Sequence, residues 1–440
     1  MAEVLILGGG LAGLAAAAAL GQAGKPVELI EARAFPGGRA TSYPAPGAPG
    51  EEPETIDNCQ HILLRCCRNL LDFYRRLGVE DRVHFHREFF FIEPGGRMSV
   101  LKSGVLPAPL HFSEAFLKLK CLSLADKIGI GRALLTVRGE YRRRRDLDQI
   151  TMADWLREKR QTPAAIERFW RQVLVSAINE ELDQMAAAHG LQVFWLGFLS
   201  ASNAYEMGVP AVPLEHLYSR EVWTGIPQVE FCYRHTVERV VVENGAVAGV
   251  VVNGELRTAR HYVSALPFER LAALLPELGA DFNAFTHSPI TGVHLWFDRA
   301  ITPLPHATLL DRTIQWMFNK QGGRYVQLVI GASRSLTEMK RQEVIDLAVR
   351  ELAEFFPVVR EAKIEKAHVV KEVRATFSAV PGLEAKRPLP RTQWPNFFLA
   401  GDWTRSGWPA TMEGAVRSGY LAAEAVLGRP GEFLIPDAAP

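Results

Sequence analysis

The stretch EVLILGGGLAGLAAAAALGQAGKPVELIE, running from Glu3 to Glu31, decides how this chain folds. Glu3 to Leu7 is a short apolar run that predicts a buried strand, and the alanine-rich Leu14 to Leu20 is a strong helix former. A second strand, Val27 to Ile30, follows Gly24, which makes one β-α-β unit with parallel strands. The connection between strand and helix carries Gly8-x-Gly10-x-x-Gly13. Its first glycine permits a tight turn, its second lets backbone approach a pyrophosphate, and its third lets helix pack closely on strand. The helix N-terminus at Leu11 and Ala12 then faces the phosphate charge. Glu31, closing the second strand, is placed to accept hydrogen bonds from an unphosphorylated ribose. The unit predicts a dinucleotide site.

Working outward, 440 residues are too many for one ordinary core and predict about two domains. Hydrophobic residues make up 48% and charged residues 22%, the balance of a soluble globular protein. Fifty basic and forty-nine acidic residues leave a net charge of +1, which excludes bulk attraction to nucleic acid. Five cysteines (Cys59, Cys66, Cys67, Cys121 and Cys232) contain no C-x-x-C pair, so neither a disulfide framework nor a metal site is expected. That pattern suits a reducing, cytoplasmic compartment. The first apolar run is broken by glycines, unlike a secretory signal, and no apolar run reaches the roughly 18 to 20 residues that span a bilayer.

Along the chain, Cys66 to Leu77 fits an amphipathic helix ended by Gly78. His111 to Gly197 is dense in helical periodicity, with Thr151 to Asp154 a capping start before Trp155. Val237 to Val242, Val247 to Val252 and Arg257 to Ala265, punctuated by two Asn-Gly turns, predict a three-stranded meander. Further strands are expected at Thr291 to Phe297, Tyr325 to Ile330 and Phe397 to Ala400, with a helix over Glu343 to Phe355. The tail after Gly428, with Pro430, Pro436 and Pro440, is expected to fray.

The loop after Glu31 reads Gly37-Gly38-Arg39-Ala40, and this run resembles the G-G-R signature of the amine oxidase and phytoene desaturase flavoprotein superfamily. The resemblance implies that Gly38, Arg39 and Ala40 lie near the diphosphate and flavin end of FAD, where a guanidinium suits an oxygen-rich chain. Near the C-terminus, Phe397 to Gly401-Asp402 and Met412 to Ala415 resemble the second signature of that superfamily. They imply Asp402 on the ribityl or phosphate portion and a helix starting near Met412 at the pyrimidine edge, its dipole favouring negative charge on reduced flavin. Val237 matches the position whose backbone contacts adenine. Thr404 to Thr411 holds no cysteine, where covalently flavinylated amine oxidases carry theirs, so the FAD is expected to be non-covalent.

Asp57-Asn58-Cys59-Gln60-His61 resembles the D-N-G-Q-H signature of hydroxysqualene dehydroxylases, also described as squalene-associated FAD-dependent desaturases of bacterial squalene and hopanoid synthesis. Cys59 stands where that signature has glycine. The resemblance implies an α/β fold of amine oxidase type. Its Rossmann-like FAD domain is discontinuous (1–75, 210–270 and 391–428), a mixed α+β substrate domain has a helical part (76–209) and a sheet part (271–390), and a tail follows (429–440). It implies an apolar isoprenoid substrate, Gln60 and His61 beside the flavin, and a reductant that the sequence does not name; the chemical need for an acid to release the hydroxyl makes His61 the candidate proton donor. The other readings are a carotenoid or squalene desaturase, an amine or protoporphyrinogen oxidase, and a prenyl-binding protein like GDP dissociation inhibitors. The mixture of apolar and basic residues in Phe112 to Arg145 adds an expected peripheral contact with membrane lipid.

Overall fold

In the computed structural model, which describes residues 2–45 and 53–437, the opening motif builds the middle of a five-stranded parallel sheet. The spatial order is Val229–Tyr233, Val27–Glu31, Val4–Leu7, His261–Ser264 and Phe397–Leu399. Strand Val4–Leu7 is buried throughout, as the central strand of a parallel sheet must be. Helix Leu11–Gln22 is buried from Leu11 to Gly21, so it shows no amphipathic stripe and needs cover on every side. The C-terminal helix Met412–Leu427 supplies part of that cover. The two helices touch at Gly419, where a Cβ would stand 2.3 Å from the Ala12 carbonyl oxygen. No larger residue fits there.

A second, seven-stranded sheet runs Ile364–Phe377, His287–Phe297, Tyr325–Gly331, Trp316–Asn319, His306–Leu309, Glu88–Ile92 and Met98–Lys102. It is antiparallel except where His306–Leu309 meets Glu88–Ile92. The stretch 76–209, read as helical, therefore also contributes two strands to this sheet. Helices Ser113–Lys118, Leu124–Arg143, Met152–Glu158, Gln172–Ile178 and Ala187–Gln192 form a separate layer. The start at Thr151 is a true capping box: Thr151 Oγ1 accepts from Asp154 N at 3.1 Å while the Asp154 carboxylate accepts from Thr151 N at 3.2 Å. Trp155, Trp170 and Phe194 fill the layer's core, the last two edge to face at 4.6 Å.

Two expectations are corrected and one strand is added. The third run of the meander divides: Glu255–Arg257 closes the three-stranded sheet, whereas His261–Ser264 leaves it to pair with Val4–Leu7. Both pieces are β-rich, and periodicity does not say which sheet a strand joins. The tail does not fray over its described part. Phe433 N and Leu434 N donate to Glu424, Ile435 N donates to Asn69 Oδ1, and Asp437 accepts from Trp408 Nε1 and pairs with Arg417. Pro440 lies outside the described residues. Strand Ile364–Phe377, absent from the sequence reading, is long but sits at the sheet edge, where Lys and Glu replace the apolar alternation of an inner strand.

Candidate active site

One cavity of about 1010 Å³ begins at the carboxyl ends of the parallel strands and continues into the space between the seven-stranded sheet and the helical layer. Gly8, Gly10, Leu11, Ala12, Glu31, Gly38, Arg39, Ala40, Gln60, His61, Val237, Gly401, Asp402 and Met412 all border it. Gly13 does not. It sits behind the turn, where a Cβ would be 2.0 Å from the Gly8 carbonyl oxygen, so its role is the packing of helix on strand.

The near end is polar and made largely of backbone. Helix Leu11–Gln22 begins without a side-chain cap and without an acid in its first turn, leaving its N–H groups turned to the cavity. A Cβ on Gly10 would meet nothing closer than 3.9 Å, so the surface there is open to a ligand. The G-G-R loop docks on this turn through Gly37 N to Gly9 O at 2.8 Å. Glu31 accepts from Gly9 N and Arg33 N, both at 2.8 Å, which spends half its acceptor capacity on shaping the loop. Arg39 and Asp402, read from opposite ends of the chain, form an ion pair at 2.6 Å, and Arg39 also donates to Ala375 O. The guanidinium therefore borders the cavity as half of a pair, not as a free cation. The Val237 carbonyl already accepts from Arg270 at 2.7 Å. Helix Met412–Leu427 starts at the cavity with Thr411 Oγ1 accepting from Gly414 N. The Glu413 carboxylate is engaged in capping the helix Arg68–Arg76, accepting from Asn69 N and Leu70 N.

The D-N-C-Q-H run divides by role. Asp57 accepts from Ser42 Oγ and Leu214 N, and Asn58 donates to Arg39 O while accepting from Thr41 N, so these two hold loops together. Asn58, Cys59, Gln60 and His61 all border the cavity. Cys59 does not adopt positive φ, so the substitution for glycine needs no strained backbone. Burial pushes its thiol up to about 12, which leaves it protonated and a poor nucleophile. His61 Nδ1–H donates to the Cys59 carbonyl at 3.0 Å, leaving Nε2 as the free ring atom. Burial lowers the His61 pKa below the ordinary histidine value, against an opposing pull from Asp57. At neutral pH this ring is an uncharged imidazole. That counts against the expectation of a ready-made proton donor.

The far arm is apolar and comes from side chains the sequence reading did not single out. Phe89 and Phe91 enter from one strand, and Val193–Leu199 forms a π-helical turn whose seven residues all border the cavity. Such a widened turn is a known mark of functional sites, and no residue spacing announces it. Four buried polar atoms on the cavity wall have no hydrogen-bond partner among the described residues: Gln60 Oε1, Gln172 Oε1, Trp195 Nε1 and Thr308 Oγ1. Leaving such groups dry costs about 1 to 3 kcal/mol each.

An open helix N-terminus, a glycine turn and an acid at the second strand define a dinucleotide-binding protein of the doubly wound class. Over residues 11–427 the sequence matches the family of flavin containing amine oxidoreductases, and the chain belongs to it. FAD is its cofactor. Among curated proteins, it is 28% identical over 470 residues to a 15-cis-phytoene desaturase of an Oncidium hybrid cultivar, covering 97% of this chain and 78% of that protein. It is 26% identical to a zeta-carotene desaturase of Synechocystis, covering 97% of each. Among solved structures, an oxidoreductase from Methanosarcina mazei superposes with a TM-score of 0.74 at 17% identity, covering 96% of this chain and 99% of that one. A putrescine oxidase bound to putrescine gives 0.70 at 14%, covering 97% and 99%. Both share the fold.

Proposed function

We propose that the protein is a hydroxysqualene dehydroxylase, reducing hydroxysqualene to squalene with loss of water. The observation that carries this reading is an apolar arm, continuous with the cofactor end, whose wall nevertheless holds unpartnered polar atoms. A pure hydrocarbon would leave those atoms dry, whereas a long isoprenoid bearing one hydroxyl offers a partner. The D-N-C-Q-H resemblance points the same way. FAD, in its reduced form, supplies the hydride. The residues bordering the near end, Gly10, Leu11, Glu31, Arg39 and Asp402, would hold it.

The reaction breaks one C–O bond and forms one C–H bond; of the two hydrogens a bound reduced flavin would give up, one becomes the hydride of the new C–H bond and the other, as a proton, balances the oxygen that leaves as water. The apolar arm excludes bulk water, so the developing allylic cation meets hydride before it meets a nucleophile. His61 Nε2, uncharged at neutral pH, accepts a hydrogen bond from the substrate hydroxyl and aims it. Charging of that ring at lower pH turns the same contact into proton donation.

Desaturation of a carotenoid-like hydrocarbon is the second reading, favoured by the names of the relatives and by a neutral His61, which suits a base better than an acid. The two run electrons in opposite directions. Anaerobic photoreduced enzyme mixed with hydroxysqualene should return the oxidised flavin spectrum and yield squalene on extraction. Oxidised enzyme bleached by phytoene or squalene, with no response of the reduced enzyme to hydroxysqualene, would replace the first reading with the second.

A further inference from the structure

The cavity has two openings. At the near end it reaches solvent beside Ala32, Arg33 and Thr236, where the adenosine portion of a dinucleotide would close it. At the far end Leu110 and Leu135 border the cavity and are yet 52% and 76% exposed, so a second mouth lies between the loop before helix Ser113–Lys118 and helix Leu124–Arg143. Around this mouth the surface is unusual. Seven of the eleven exposed large apolar side chains among the described residues fall between positions 105 and 135: Val105, Leu106, Leu110, Leu117, Leu124, Ile128 and Leu135. Leu124, Ile128 and Leu135 share one stripe of their helix, and Arg138 and Arg142 continue it.

The charges there are one-sided. The acids Glu114, Asp126 and Glu140 are taken up by Lys118, by the cap at Ser123 and by Lys159, respectively. Arg144, in the middle of the basic run, is also spent, on Glu140, Asp146 and Glu158. Lys120, Arg132, Arg142, Arg143 and Arg145 are exposed and make no ion pair among the described residues. No helix among the described residues is long and apolar enough to cross a membrane. An exposed apolar ridge ringed by unpaired cations is the signature of an element that lies in a lipid interface.

We propose that this face seats on an anionic bilayer surface, with the far mouth opening into the acyl region so that substrate passes from lipid to cavity without crossing water. Val105, Leu117 and Leu124 enter the interface, and the five free cations contact lipid phosphates. The proposal rests on the apolar-substrate reading for what travels, and on exposure and charge alone for the docking.

The test is flotation of the FAD-loaded protein with vesicles of phosphatidylcholine alone and of phosphatidylcholine mixed with phosphatidylglycerol, without substrate. Binding should favour the mixed vesicles and weaken with salt. The triple variant Val105→Ser, Leu117→Ser, Leu124→Ser, whose side chains lie outside the cavity, should keep flavin and bind at least about tenfold more weakly. Arg142→Glu with Arg143→Glu should lose the preference for anionic lipid. On hydroxysqualene dispersed in detergent the triple variant should match the parent, whereas on substrate carried in vesicles it should fall by about the binding deficit. Absence of vesicle binding, or binding indifferent to both variants, overturns the proposal. A dimeric parent that the triple variant turns monomeric also overturns it, in favour of a second copy on this face. Vesicle binding without squalene production under any condition would leave docking standing and overturn only the substrate reading.

Discussion

The two ends of the cavity are built on different principles. The near end is made of backbone: a glycine turn, a helix N-terminus and a docked loop, all within the first forty residues, completed by Asp402 and helix Met412–Leu427. The far end is made of side chains from one sheet and several helices, and only tertiary packing brings them together. A backbone site tolerates almost no change at a few positions, while a side-chain site spreads its tolerance over many. The cofactor end should therefore break abruptly and the substrate end by degrees.

The steepest break is expected at Gly10→Glu. The open surface at Gly10 would receive bulk and negative charge where a pyrophosphate belongs, and the purified variant should be colourless apoprotein. Full flavin occupancy, read from the absorbance ratio of flavin to protein, would show that the turn is not the cofactor cradle.

His61→Phe comes next and lies where the two ends meet. It should retain FAD while the single-turnover rate of flavin reoxidation by hydroxysqualene falls by about 10² or more. The pH profile adds a sign. Burial lowers the His61 pKa, so the imidazolium form exists only in acid; if that form donates the proton, the parent's rate climbs as pH falls from neutral and levels off below the lowered pKa. Stopped-flow traces across that range would show a flat profile if His61 acts only as an uncharged contact. A His61→Phe rate within a few fold of the parent returns the residue to packing.

Asp402→Ala strips Arg39 of its carboxylate and should weaken FAD by about tenfold to a hundredfold, the range for losing a charged hydrogen-bond partner. Fluorescence titration of apoprotein measures this. Affinity equal to the parent's would mean that the pair serves the fold alone.

The smallest effect belongs to the far arm. Trp195→Phe removes an unpartnered buried N–H while keeping the ring's bulk, so thermal stability should hold or rise slightly. If Trp195 Nε1 meets the substrate oxygen, KM for hydroxysqualene rises by roughly threefold to tenfold with kcat less affected. A lower kcat at unchanged KM would place the contact in the transition state instead.

The contrast also explains what could be read from the sequence. The β-α-β unit, the G-G-R loop and the acid after the last strand are legible because a local turn or helix start demands particular residues at fixed spacing. Their meeting in space follows from the sheet order, in which Phe397–Leu399 joins His261–Ser264. The pairing of Arg39 with Asp402 was not legible, since each was read only against a ligand. Nor was the division of labour within Asp57 to His61, where Asp57 and Asn58 fasten loops while Asn58 to His61 line the cavity. The apolar arm was hidden for a simpler reason: Phe89, Phe169 and Trp195 look like any core residue until the packing leaves a space beside them.

The order of strands bears on how the protein is made. The parallel sheet opens with Val4–Leu7 but takes one of its two edge strands, its Asp402 and part of its helical cover from residues roughly 390 or more positions later. During synthesis, helix Leu11–Gln22, apolar on every side, is made long before Met412–Leu427 and waits for it while the residues between them are added. At ordinary ribosomal rates that wait lasts roughly tens of seconds. A nascent chain halted before Phe397 has the glycine turn but neither the strand nor the acid that completes the site. A cofactor site that needs Asp402 can therefore close only once that segment has been made and has folded back onto the opening strands.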